Sequence, residues 1–218
     1  DHILGEHTIV ACDKEIAPVP MDVKKTFVQT GYLHMDLPNT SQPDLDRFLE
    51  NGSKPIYAGF GSMPPKDQAK NIPLLVNAAR RVGKRIIIAK FWEESSDHKF
   101  SRDVFFIKNY PHLKLFPKTA AVIHHGGAGT TAAAAISGIP QIIVPHILDQ
   151  YFHGQKIYAS NLGPESIWRS RLTTEKLAAA LKNCLSNPKI IQAAKNTGKS
   201  IDRNKSLQLT VKTIEAKG

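Results

Sequence analysis

Five short apolar runs, most of them separated by helical patterns, constrain the fold of this chain more than any other feature. They are residues 55–61 (PIYAGFG), 85–91 (RIIIAKF), 104–107 (VFFI), 120–124 (AAVIH) and 141–144 (QIIV), with a weaker sixth at 166–168. The runs are continuous rather than alternating in polarity, which marks strands buried on both faces. Helical patterns lie between most of them, the clearest at 67–82, 130–137 and 149–161. Buried strands alternating with helices predict an α/β fold with a doubly wound, Rossmann-like parallel sheet. Beyond Thr173 the pattern is helical throughout. LTTEKLAAALKNCLS opens at a Thr173 or Thr174 cap, Asn187-Pro188 breaks it, and two more helices follow. Residues 37–218 are expected to form this domain. Residues 1–36, with extended character around Pro18 and Pro20, are expected to be an interdomain connection or the end of a preceding domain.

At 218 residues the chain suffices for one large domain, and its 41% hydrophobic and 22% charged content is that of an ordinary globular protein. The only cysteines, Cys12 and Cys184, lie far apart without metal-type spacing, which fits a reduced cytoplasmic protein. No apolar run approaches membrane-spanning length, and the opening DHILGEHTIVACD has no secretory pattern; it reads like the interior of a larger protein. The net charge of +10 raises the question of nucleic acid, but the basic residues are scattered and no aromatic ladder accompanies them. That charge suits anionic ligands or peripheral association with an anionic membrane.

In an open α/β sheet, ligands bind at the carboxyl ends of the strands, and four loops there carry chemistry. The first, Gly59-Phe60-Gly61-Ser62-Met63, permits close backbone approach and offers the Ser62 hydroxyl. The second, HHGGAGTT, joins a strand to an alanine-rich helix. Gly126, Gly127, Ala128 and Gly129 form the turn where that helix begins, and Thr130 adds a hydroxyl. Helix N-termini carry unpaired N–H groups and partial positive charge, so this turn suits a phosphate. It lacks the Gly-Lys-Ser/Thr ending of a P-loop and is not a dinucleotide GxGxxG. His124 continues the apolar strand and reads as framework; His125 points the other way and reads as a ligand contact, and neighbours that point apart do not share a metal. In the third loop, Asp149 and Gln150 either bind vicinal sugar hydroxyls or, for Asp149, cap a helix. The fourth, with Tyr110, Pro111 and His112, either holds a planar base or is a proline turn. Asp44-Leu45-Asp46 has the form of a metal-binding DxD but reads as the acidic first turn of a helix.

Together TGYL, KPIYAGFGSM, YPHLKLFP, AAVIHHGGAGTTAAAAISGIPQIIVPHILDQYFHGQKI and LTTEKLAAAL resemble the C-terminal, donor-binding half of GT-B glycosyltransferases. The similarity is greatest to UDP-glucose:sterol glucosyltransferases and related antibiotic glycosyltransferases. It implies an inverting transfer of a hexose, glucose first among them, from a UDP-sugar to an acceptor hydroxyl such as that of a sterol or other lipid. By the same resemblance Ser62, His125 and the Gly126, Gly127, Ala128, Gly129, Thr130 turn hold the diphosphate. Tyr110, Pro111 and His112 flank the uracil; Asp149 and Gln150 bind the sugar. No metal or other cofactor is implied. The general base and most of the acceptor pocket belong to the family's N-terminal domain, outside these residues, so this chain alone is expected to turn over little. The alternative is a non-catalytic nucleotide-sugar-binding subunit that needs a partner acceptor domain. His153 stands where sterol-type members carry a tryptophan, Phe91-Trp92 where they carry Gly-Trp, and His112-Leu113 where they carry His-Asp.

Overall fold

The computed structural model describes residues 8–22, 27–35, 42–61, 68–89, 102–108 and 110–216. A five-stranded sheet forms from β3 (Ile56–Gly59), β4 (Ile86–Ala89), β5 (Val104–Ile107), β6 (Ala121–His124) and β7 (Gln141–Ile143), all parallel, in the order β5-β4-β3-β6-β7. The two-residue side-chain period divides the core between two faces. On one face Ile56, Ala58, Ile86, Ile88 and Ile123 pack with Leu75, Ala78 and Ala79 of α2 (Gln68–Arg81) and with Leu177 and Leu181 of α6 (Thr174–Ser186). On the other, Tyr57, Ile87, Ala89 and Val122 pack with Leu45 of α1 (Pro43–Glu50), Leu115 of α3 (His112–Leu115), Phe116, and Ala133 and Ala134 of α4 (Ala128–Ile136). Ala132 through Ala135 are all buried, because α4 sits with small side chains between the sheet and its neighbours. The doubly wound parallel sheet expected from the five apolar runs is therefore present.

The remaining helices are α5 (Asp149–Ala159), α7 (Pro188–Ser200) and α8 (Arg203–Glu215). Thr173 caps α6 by accepting the Lys176 N–H, and Asn187 caps α7. Residues 166–168 do not form a strand: a single hydrogen bond from Ile167 N–H to the Ile143 carbonyl lines them along the sheet's edge. β1 (Thr8–Val10) and β2 (Phe27–Gln29) pair in parallel with each other, apart from the five-stranded sheet. The Gln29 amide donates to the Cys12 and Ala17 carbonyls, and Ile16 and Ala17 are buried against α4 and α7, so this segment docks on the body of the domain. Asp44 and Asp46 lie in the first turn of α1, where Asp44 pairs with Arg47 and Asp46 lies 3.8 Å from Lys118. Among the described residues no helix is long and apolar enough to cross a membrane.

Candidate functional site

Strand order reverses between β3 and β6, because the chain runs outward from β3 to β5 on one side and from β6 to β7 on the other. Loops leaving adjacent strands there part to opposite faces and open a crevice at the carboxyl ends. Gly59 and His124, the last residues of those strands, are register partners, so the loops that follow them begin side by side.

His124 organises the turn after β6 and is fully buried. Its Nδ1 accepts the Gly126 N–H at 3.1 Å, which leaves the proton on Nε2 to donate to Gln141 Oε1 at 2.9 Å. The Gln141 amide in turn donates to the Thr131 carbonyl at 3.2 Å, tying β6, β7 and α4 together. Burial pushes the His124 pKa down to about 3, so the ring is neutral at physiological pH. Gly126 adopts φ +93, the left-handed region that glycine occupies at no steric cost. From α5, His153 Nδ1 donates to the Gly126 carbonyl at 2.7 Å, so the turn is held at both its N–H and its C=O.

This wiring changes the role expected of Gly126. Its N–H is committed to His124, so Gly126 shapes the turn rather than offering a donor to an anion. The helix begins at Ala128, two residues before the expected start, with Gly127 as N-cap and no side-chain cap. Thr131 N–H is the first to bond within the helix, to the Gly127 carbonyl. The N–H groups of Gly127, Ala128, Gly129 and Thr130 are thus the four that helix geometry leaves without intrahelical partners.

His125 fills the crevice between the two loops. A Cβ on Gly127 would lie 2.5 Å from its Nε2 and one on Gly61 2.8 Å from its Cε1, so both glycines leave room for this ring. Burial and the neighbouring His146 lower its pKa, while the Gly59 carbonyl and Asp149 act the other way. Its Nδ1 finds no partner in full hydrogen-bonding geometry among the described residues, so the Gly59 carbonyl acts as a nearby dipole. His146, 6.5 Å from His125 between ring centroids, stacks on Phe60 from the β3 loop.

The loop before α5 holds the two sugar-site candidates differently. Gln150 is buried, and its Oε1 accepts the N–H groups of His146 at 2.7 Å and Ile147 at 3.2 Å. Its carbonyl oxygen therefore braces the loop, which leaves only the amide nitrogen for a ligand. Asp149 is exposed at the start of α5, with Oδ2 3.9 Å from His153 Nδ1. Leu148 just before it is 85% exposed and adopts φ +36, a strained region for a branched side chain. Leu148→Gly is expected to raise stability by about 1 kcal/mol, the strain relieved outweighing the added unfolded-state freedom. A melting temperature no higher than wild type would show that no strain is stored there.

Around the fourth loop, Pro111 is the N-cap of the short helix α3 and His112 its first residue. His112 stacks on Phe116 at 4.6 Å, and its Nε2 lies 3.2 Å from the Tyr57 hydroxyl. Burial pushes the His112 pKa down to about 4 and the Tyr57 phenol up, so Tyr57 donates and His112 accepts. Its ring is thereby held by the core, while Tyr110 is partly buried against the same cluster. A cavity of about 400 Å³ opens beside it, within the usual range for small-molecule clefts. Pro111, His112 and Lys114 line it from the α3 turn, Gly129 and Thr130 from α4, and Tyr32 from the segment after β2. The cavity thus runs from the α3 turn to the N-terminus of α4. Ser62, Asn109 and Phe91-Trp92 lie outside the described residues. Sequence patterns give Tyr32 and His146 no binding role of their own, and His153 stands out only as the residue where sterol-type members carry a tryptophan. Among the described residues no three His, Cys, Asp or Glu side chains converge as a metal site would require.

The fold thus sets a helix N-terminus without a side-chain cap at a strand-order switch, beside a cavity of about 400 Å³, which is where open α/β sheets bind ligands. Residues 73–207 match the family model described as "Erythromycin biosynthesis protein CIII-like, C-terminal domain", and the chain belongs to that glycosyltransferase family. It is 36% identical over 189 residues to the sterol 3-beta-glucosyltransferase UGT80A2 of Arabidopsis thaliana, covering 85% of this chain and 30% of that protein. It is 37% identical over 160 residues to the vancomycin aglycone glucosyltransferase of Amycolatopsis orientalis, covering 72% of this chain and 38% of the relative. The chain therefore spans about a third of the length of these relatives. The structure superposes on the spinosyn forosaminyltransferase SpnP with a TM-score of 0.73 at 16% identity, over 99% of this chain and 56% of that one. The fold is that of the C-terminal, Rossmann-like half of a GT-B glycosyltransferase.

Proposed function

We propose that this domain binds a UDP-hexose, with glucose the first candidate, and presents it for inverting transfer to an acceptor hydroxyl. The observation that carries this reading is the uncapped N-terminus of α4 beside the His125 ring, at the point where strand order reverses. The names of the relatives, a sterol glucosyltransferase and an aglycone glucosyltransferase, support the choice of sugar and a lipid or secondary-metabolite acceptor.

In the proposed reaction an acceptor oxygen attacks C1 of the α-linked sugar from the face opposite UDP. The C1–O bond to the β-phosphate breaks as the new bond forms, inverting the anomeric centre. Negative charge grows on the departing β-phosphate, and preorganised donors aimed at such charge lower the barrier. Here those donors are the N–H groups of Gly127 through Thr130, with His125 beside them; Ser62, outside the described residues, is proposed as a further donor on the family resemblance alone. Asp149 and the Gln150 amide nitrogen, at the start of α5, would bind hydroxyls of the sugar. The reaction as proposed needs no metal, because the helix N-terminus supplies the positive potential. The base that takes the acceptor proton and the acceptor pocket would come from an N-terminal domain. The net charge of +10 favours approach to anionic membranes, where lipid acceptors reside.

Calorimetric titration of this chain with UDP, UDP-glucose and NAD tests the donor reading. UDP and UDP-glucose are expected to bind with micromolar to millimolar dissociation constants, and NAD not to bind. A folded sample that takes up no UDP would refute it.

A further inference from the structure

We infer that Tyr32 belongs to the nucleotide site, its hydroxyl donating to the diphosphate at the N-terminus of α4. The inference rests on the donor reading above and adds a residue from a segment outside the five-stranded sheet.

Three features of the structure converge on this position. Tyr32 lines the cavity of about 400 Å³ together with Gly129, Thr130, His112 and Lys114. Its hydroxyl points at the helix start so closely that a Cβ on Gly129 would lie 2.6 Å from it. The second residue of α4 is therefore without a side chain where the phenol oxygen arrives, and its N–H is one of the four that helix geometry leaves over. No described residue bonds this hydroxyl; the polar contact Tyr32 makes is through its backbone, whose N–H donates to the buried Asp13 at 3.3 Å.

The approach of Tyr32 is prearranged. Gly31, at φ +91, turns the chain out of β2 toward the cavity, and the Asp13 carboxylate holds the next peptide. The ring is partly buried against the cluster of Ile16, Ala132 and Ile143, and it leans on His34 at 4.8 Å between centroids. A phenol fixed in this way loses little rotamer freedom when its O–H is used, which favours a net gain from the bond. An O–H donor beside a row of backbone N–H groups faces the same anion they face. By the donor reading the base, in contrast, would lie toward Pro111 and His112, which also line the cavity. Tyr32 should therefore read the phosphates and not the nucleoside.

Tyr32→Phe removes the oxygen and keeps the ring, so the test is the affinity of wild type and this variant for UDP and for uridine, with apo melting temperatures alongside. A hydrogen bond to a charged group is worth about tenfold in affinity, so UDP should bind about tenfold more weakly to the variant. Uridine affinity and the apo melting temperature should not change. Equal UDP affinity in variant and wild type would overturn the proposal. So would a parallel loss of both ligands, which would mean that Tyr32 serves only as a wall or a packing element. Failure of wild type itself to bind UDP is a separate result, and it would bring down the donor reading together with this one.

Discussion

Replacing His124 with alanine is expected to lower the melting temperature by roughly 10 °C, as measured by circular dichroism. The substitution opens a cavity at a fully buried position and strands two polar groups. Gly126 N–H loses its acceptor and Gln141 Oε1 its donor, each costing about 1–3 kcal/mol when buried. With the cavity term the loss is about 4 kcal/mol in total. The variant should also respond differently to acid. Burial holds His124 near about 3 against an ordinary value of 6.5, so in wild type the unfolded chain binds the extra proton across that window. Stability is then complete above pH 6.5 and falls as pH drops toward 3. His112, held near about 4 by burial, contributes with the same sign and remains in the variant. His124→Ala should therefore flatten the acid dependence without abolishing it. An unchanged melting temperature, or an acid slope identical to wild type, would remove His124 from its place as the anchor of the turn.

The second large effect is on rate. In an active transferase containing this domain, His125→Ala should reduce kcat about a hundredfold, or about 3 kcal/mol of transition-state stabilisation. The donor KM should rise far less, because the interaction strengthens only as charge develops on the leaving phosphate. The melting temperature should shift little, since the ring occupies the crevice between Gly61 and Gly127 rather than the hydrophobic core. The two histidines are adjacent in sequence, yet one variant should act on stability and the other on turnover. A wild-type kcat in the His125 variant would exclude it from leaving-group stabilisation.

The contrast between these neighbours was legible in the sequence, because successive side chains on a strand point to opposite sides. His124 continues an apolar run and lies in the core; His125 follows the strand and lies in the crevice. The start of α4 was displaced by two residues because its N-cap is a glycine with extended backbone and no side-chain oxygen, so the usual capping signal is missing. Gln150 and Asp149 look alike as sugar ligands in the sequence, but only Asp149 faces solvent, since two backbone N–H groups of the preceding loop claim the Gln150 oxygen. Nothing local in TGYL or HHGGAGTT announces how Tyr32 reaches Gly129, because the approach spans nearly a hundred residues of chain.

The sequence by itself determined the layers of this protein and the place of its phosphate turn. Continuous β-branched runs and a glycine-rich strand-to-helix junction are local patterns, and their physics acts within a few residues. Tertiary structure alone decided which donors at that turn remain free. His124, Gln141 and His153 come from three different elements, and only their packing shows that Gly126 is spent on the framework while the N–H groups of Gly127 through Thr130 are left without intrahelical partners. The reason is that a hydrogen-bonding group's availability depends on what else lies within about 3 Å of it, and that is set by the whole fold.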